Sequence, residues 1–161
     1  AMAGLNEEAR AILLVMINTG ARPSELAALT PECIKLDAEV PHISIEAVER
    51  QLKSRNAKRV IPLLGVSLEA LSAHPQGFPR YRGSSASLSA TINKFLRKNG
   101  LLETDKHSLY GLRHSFEDRL LAAGIDERIR RDLFGHALNR ERYGDGASLA
   151  QMRDVIQPVA L

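Results

Sequence analysis

The sequence predicts a mainly helical α+β domain holding one small three-stranded antiparallel sheet. Two observations carry this. Apolar residues recur at helical spacing along most of the chain, whereas a period of two is confined to residues 33–63. The helical stretches are also punctuated by residues that start and stop helices, Asn6 and Asp126 at entrances and Gly20, Gly100 and Gly124 at exits.

Taken in order, the first helix covers residues 7–19. Asn6 is its cap, Glu7 and Glu8 stand in its first turn, and Leu13, Leu14 and Ile17 are its expected buried face. Gly20 takes the left-handed position at its end. Proline favours a first helical turn, so Pro23 puts Arg22 at the entrance of a short helix running to Leu29. Strands are expected at 33–36, 42–45 and 58–63, with turns at 37–41 and 54–57. Lys53 then lies near a hairpin tip, and Pro62 suits a strand end or an edge strand. A short helix at 67–72 precedes a Pro- and Gly-rich loop at 74–83. The helix at 87–98 faces Leu88, Ile92, Phe95 and Leu96 inward, and the helix at 110–123 does the same with Leu112, Phe116, Leu120 and Leu121. Asp126 caps a helix to Phe134, and an amphipathic helix at 148–159 closes the chain. No repeat or low-complexity tract divides residues 1–161, which read as one domain.

A chain of 161 residues buries about 70% of its unfolded surface and holds a real core. Its hydrophobic content of 44% and charged content of 25% are those of a soluble globular protein. The longest apolar run, residues 11–17, is too short to span a membrane, and nothing points to export. The single cysteine, Cys33, excludes an internal disulfide and a cysteine-based zinc site, and suits a reducing, cytoplasmic setting. A net charge of +3 argues only feebly for nucleic acid. Residues 50–59, RQLKSRNAKR, say more, with five basic residues and no acidic one. They are either a solvated hairpin tip or a DNA contact made through Arg55, Lys58 and Arg59.

Residues 109–143 hold the parts of a metal-free phosphoryl-transfer site. Arg113 stands at the head of a helix, Gly135-His136 follow the next one, and Tyr143 comes seven residues later. An arginine grips a phosphate with a planar fork, a histidine donates to it, and a tyrosine attacks it. Arg22 adds a full charge at another helix N-terminus, already an anion site, and Glu25 can orient its guanidinium or form a mere surface ion pair. No carboxylate cluster or histidine pair stands at ligand spacing, so neither metal nor cofactor is expected.

Four blocks and one residue together carry a resemblance. They are TGARPSEL (residues 19–26), LKSRNAKRVIPL (52–63), GLRHSF (111–116), LFGH (133–136) and Tyr143. In this order they resemble the catalytic domain of tyrosine recombinases, the phage integrase family, from Thr19 to the C-terminus. The resemblance implies that Arg22 and Arg113 clamp the scissile phosphate and that Lys53 protonates the departing 5′ oxygen, with Lys58 and Arg55 as nearby rivals. It implies that His136 donates to the phosphate and that Tyr143 is the nucleophile, giving a 3′-phosphotyrosine link that needs neither ATP nor metal. The family's N-terminal core-binding domain is expected to lie outside this chain.

One position departs from the family. Tyr110 stands three residues before Arg113, where the family commonly has histidine. A phenol, with a reference pKa of about 10, is a poor base, although it can hydrogen-bond to the phosphate. His107 is the candidate substitute, and His114 reads as a helix histidine satisfied by the fold. Tyr81 and Arg82 are open between DNA contact and plain exposure. The expected function is a site-specific recombinase or integrase of a bacterial phage or mobile element, acting on double-stranded DNA and self-associating on it as a tetramer. A degenerate, non-cleaving DNA-binding relative is the alternative that Tyr110 favours. A type IB topoisomerase would share the chemistry, but the compact blocks argue against it.

Overall fold

The structure, a computed structural model, describes residues 4–46, 58–104, 106–135 and 147–161. Lys53, Arg55, His136 and Tyr143 lie outside the described residues, as does the turn expected at 54–57. The elements are α1 (Glu7–Thr19), α2 (Pro23–Ala27), β1 (Ile34–Lys35), β2 (His42–Ile45), β3 (Arg59–Pro62), α3 (Gly65–Ser72), α4 (Ser85–Lys98), α5 (Gly111–Ala122), α6 (Glu127–Phe134) and α7 (Leu149–Ile156). Short 3-10 turns stand at Pro31–Cys33, Pro79–Tyr81 and Gln157–Val159. The mainly helical class with its three-stranded antiparallel sheet is as the sequence predicts.

The sheet order is β1-β2-β3, with Ile43 opposite both Ile34 and Ile61. Pro62 ends the outer strand β3, where a missing N–H costs no ladder bond. Along β3 the side chains alternate. Ile61 is fully buried and Val60 is exposed, so Arg59, two residues before Ile61, shares its inward face.

Helix α1 is the axis of the domain. The Asn6 side chain accepts from the Ala9 N–H at 3.0 Å and starts it. Ala9, Ile12, Val15 and Met16 are wholly buried, and the helix packs on α3 and α5. The expected stripe of Leu13, Leu14 and Ile17 is thus corrected, because Leu14 and Ile17 are only half-buried. A helix covered on most of its sides has no single stripe for periodicity to find. Leu121 is corrected too, at 56% exposed. The buried line of α5 is Arg113, Phe116 and Leu120, and Leu121 is turned about 100° away from Leu120.

Polar clasps bring the C-terminal residues back onto α1. The Asn18 side chain donates to the carbonyls of Leu64 and Leu161 at 3.0 Å each and accepts from the Leu161 N–H at 3.0 Å. Arg119 donates to the carbonyls of Val159 and Ile17. Helix α7, started by a reciprocal Ser148–Gln151 cap, lies against β3 of the same chain with Met152 and Ile156 buried. Tyr81 is interior, its hydroxyl accepting from Asn6 at 2.6 Å. Arg82 donates to the Leu29 and Gln76 carbonyls.

Gly20 controls how the chain leaves α1 for Arg22. Its φ of 65° is left-handed, and a Cβ there would stand 2.5 Å from the Phe134 ring and 2.9 Å from Phe116. Gly20→Ala is therefore expected to lower stability by about 2–4 kcal/mol, read from urea unfolding, as left-handed strain and overpacking add.

Candidate active site

Three arginines from three separate elements meet around one buried carboxylate. Arg22 is the N-cap of α2, in extended backbone, and its N–H donates to Glu25 Oε1 at 2.8 Å. This is half of a capping box, since an arginine side chain has no acceptor to complete it. The Glu25 side chain is wholly buried, so the surface ion pair considered from sequence is excluded. Arg59 grips it with a planar fork, Nη1 to Oε2 at 2.7 Å and Nη2 to Oε1 at 3.0 Å. Arg22 Nη1 stands 3.5 Å from Oε2, and Arg113 Nη1 stands 3.8 Å from Oε1.

The end of α6 supplies the second support. Arg59 Nε donates to the Leu133 carbonyl at 2.7 Å and Arg113 Nη2 to the Phe134 carbonyl at 3.3 Å. These carbonyls form the negative end of the α6 dipole, where cations are favoured. The Arg113 guanidinium also lies over the Phe134 ring, 5.2 Å from its centroid. Gly135 then turns the chain out of α6 with φ 70°, and His136 follows.

Among the described residues, three guanidiniums share one carboxylate, an excess of two positive charges. Burial alone would push the Glu25 carboxyl up, but the Arg59 hydrogen bond and charge, then the Arg22 N–H and charge, outweigh it and hold it below the ordinary 4.5. Arg113 is pushed down to about 10, by burial first and then by the like charge of Arg22. It remains charged at neutral pH. A phosphodiester beside Arg22 and Arg113 would add negative charge that favours their charged forms.

The structure thus brings Arg22, Glu25 and Arg113 together and adds Arg59, which sequence reasoning placed elsewhere. Grouping Arg59 with Arg55 and Lys58 as DNA contacts is corrected for that residue. Its side chain is 5% exposed and engaged with Glu25, while Lys58 is exposed. The signal was available in the alternation that puts Arg59 on the face of Ile61. Tyr110, the N-cap of α5, is 42% exposed and close enough to Arg113 to act on its proton affinity. His107 pairs with Thr104 at 2.9 Å. It lines a groove of about 430 Å³ with Glu103, His114 and Asp118, to which Arg113 does not contribute. His114 is exposed there. Among the described residues no three His, Cys, Asp or Glu side chains gather as metal ligands, and no helix is long and apolar enough to cross a membrane.

The domain is thus mainly helical, and its short sheet and helix entrances bring three arginines to one buried carboxylate. The chain belongs to the phage integrase family, whose model matches residues 2–141. It is 30% identical to tyrosine recombinase XerD of Halalkalibacterium halodurans, aligned over 91% of this chain and 52% of that protein. It is likewise 30% identical to tyrosine recombinase XerC of Agrobacterium fabrum, over 96% and 53%. The chain therefore spans about half the length of the curated relatives it matches. Among solved structures, XerA recombinase superposes with a TM-score of 0.63 at 20% identity, over 96% of this chain and 53% of that one. The Tn1549 transposon integrase, in complex with a circular intermediate DNA, gives 0.66 at 16% identity, over 92% and 57%.

Proposed function

We propose that this domain cuts and rejoins duplex DNA as a site-specific tyrosine recombinase. The observation that supports this best is the meeting of Arg22 and Arg113 at one buried carboxylate, Glu25, with Arg113 held also by the Phe134 carbonyl. In the proposed step, the Tyr143 hydroxyl gives its proton to water and its oxygen forms a bond to phosphorus as the bond to the 5′ oxygen breaks, and Lys53 gives the departing oxygen its proton. Arg22 and Arg113 donate to the non-bridging oxygens, where charge accumulates in the pentacovalent transition state. Their guanidiniums are held in advance by Glu25 and the α6 carbonyl, so little reorganisation is left for the moment of reaction. His136 adds a donor, and Tyr110 adds a hydroxyl beside Arg113. The 3′-phosphotyrosine keeps the energy of the phosphodiester, so attack by a 5′ hydroxyl rejoins the strand without ATP.

Lys58 and Arg55 are assigned to the DNA backbone outside the clamp. Two duplexes exchanging strands present four scissile phosphates, which calls for a tetramer of active sites on DNA. The setting is the nucleoid of a bacterial cytoplasm, and the source a phage or other mobile element. Tyr110 stands where the family commonly has histidine, and this favours the second reading, a relative that holds DNA without cutting it.

A nicked suicide substrate separates the two. Loss of a short 5′ fragment prevents religation, so even slow cleavage accumulates as a covalent protein–DNA band. The full-length protein on its own site is expected to give that band. No band on a site the protein demonstrably binds would leave the non-cleaving relative in place of the recombinase.

A further inference from the structure

We infer that Arg59 is a positioning residue for the phosphate clamp. Its single guanidinium ties Glu25, at the entrance of α2, to the end of α6, the two supports on which Arg113 at the head of α5 also rests. This role rests on the recombinase reading of Arg22 and Arg113, and goes beyond it in naming what keeps those two arginines usable.

The geometry divides the three arginines into two kinds. Arg59 makes three short contacts at once, to both Glu25 oxygens at 2.7 and 3.0 Å and to the Leu133 carbonyl at 2.7 Å. A guanidinium is flat and rigid, so these contacts set the distance from the Glu25 carboxylate to the end of α6 by the size of the group itself. Arg22 and Arg113 stand farther from the same carboxylate, at 3.5 and 3.8 Å. Arg59 thus occupies the best acceptor sites of Glu25 and leaves the other two arginines near the carboxylate without locking them to it. They stay oriented, and a phosphate can still compete for them.

The place of Arg59 in the chain adds to this. It opens β3, six residues after Lys53, and β3 lies against both α6 and α7. Those two helices precede His136 and follow Tyr143. The strand that leads out of the basic segment is therefore pinned, at its first residue, to the carboxylate that the clamp shares. A misplacement of about 1 Å in such a constellation costs on the order of a hundredfold in rate.

The test uses the full-length protein on its own DNA site with Arg59→Lys and the double variant Glu25→Gln/Arg59→Met. A lysine keeps the charge but cannot make the planar fork. The double variant removes both members of the fork together, so no carboxylate is left without its arginine, although Arg22 and Arg113 lose Glu25 as well. Both are expected to fold, judged by thermal unfolding. Both should bind DNA with an unchanged dependence on salt, since the Arg59 side chain is buried and engaged with Glu25. At saturating DNA both should form the adduct about 10- to 100-fold more slowly than wild type. Wild-type rates in Arg59→Lys would overturn the positioning role, as would recovery of the rate in the double variant, which would reduce Arg59 to a counter-charge. A rate that falls only in proportion to the folded fraction would make Arg59 structural and overturn it equally. A salt slope lowered by about one in Arg59→Lys would make it a DNA phosphate contact instead. A wild-type protein that binds its site and forms no adduct would overturn the recombinase reading, and the positioning role with it.

Discussion

Tyr143→Phe is expected to abolish the covalent protein–DNA adduct while leaving DNA affinity within about twofold of wild type, because only the nucleophilic oxygen is removed. Loss of a nucleophile that nothing replaces costs on the order of 10⁴-fold or more, which takes the adduct below detection. The chain has three tyrosines, and this makes the experiment decisive. Tyr81 is interior, with its hydroxyl accepting from Asn6. Tyr110 is 42% exposed and stands beside Arg113, so it is the one rival with both access and a cationic neighbour. An adduct that survives Tyr143→Phe but disappears in Tyr143→Phe/Tyr110→Phe would move the nucleophile to Tyr110. Mapping the labelled peptide after proteolysis distinguishes the two directly.

The difference between Arg22 and Arg59 shows what the sequence makes legible. Arg22 is announced by local chemistry, since Pro23 sets the first turn of α2 and Glu25 falls at the position that accepts from the cap N–H. Arg113 is equally local, three residues into a helix. Arg59 sits in a run of basic residues, and a run of charge suggests solvent. Its burial depends on Glu25, 34 residues earlier, and on Leu133, 74 residues later, which no window of sequence joins. Only the alternation with Ile61 hinted at it. The helix α1 fails in the opposite way. Its apolar residues are plain, but which of them face the core is decided by α3 and α5, which cover it from more than one side. Leu121 is misplaced for a related reason. An apolar pair, Leu120-Leu121, offers two candidate faces, and packing chooses between them.

Glu25→Ala is expected to destabilise the domain by about 3–5 kcal/mol, the cost of leaving buried charges without their partner. Three guanidiniums would then face one another without the carboxylate they share, and Arg113, already pushed down to about 10, would lose a group that supports its charge. Glu25→Gln keeps the shape and one acceptor, so it should fold better than the alanine variant yet still lose the carboxylate. The two are separated by pH. Because the folded-state pKa of Glu25 is lowered, its contribution is present above the ordinary value of 4.5 and is lost as pH falls through the lower folded value. Wild-type stability, measured by urea unfolding, should therefore drop below that pH by more than that of Glu25→Gln, and the two curves should converge in acid. Arg113 works with the opposite sign. Its penalty is carried at neutral pH and is relieved only as pH rises above about 10, toward the ordinary arginine range. Inorganic phosphate, which supplies the missing negative charge, should stabilise Glu25→Gln more than wild type, since mass action rewards whichever folded state binds it better. If Glu25→Gln matches wild type at pH 7 and its acid limb is unchanged, the carboxylate is not what holds the arginines together, and the clamp must be organised by the end of α6 alone.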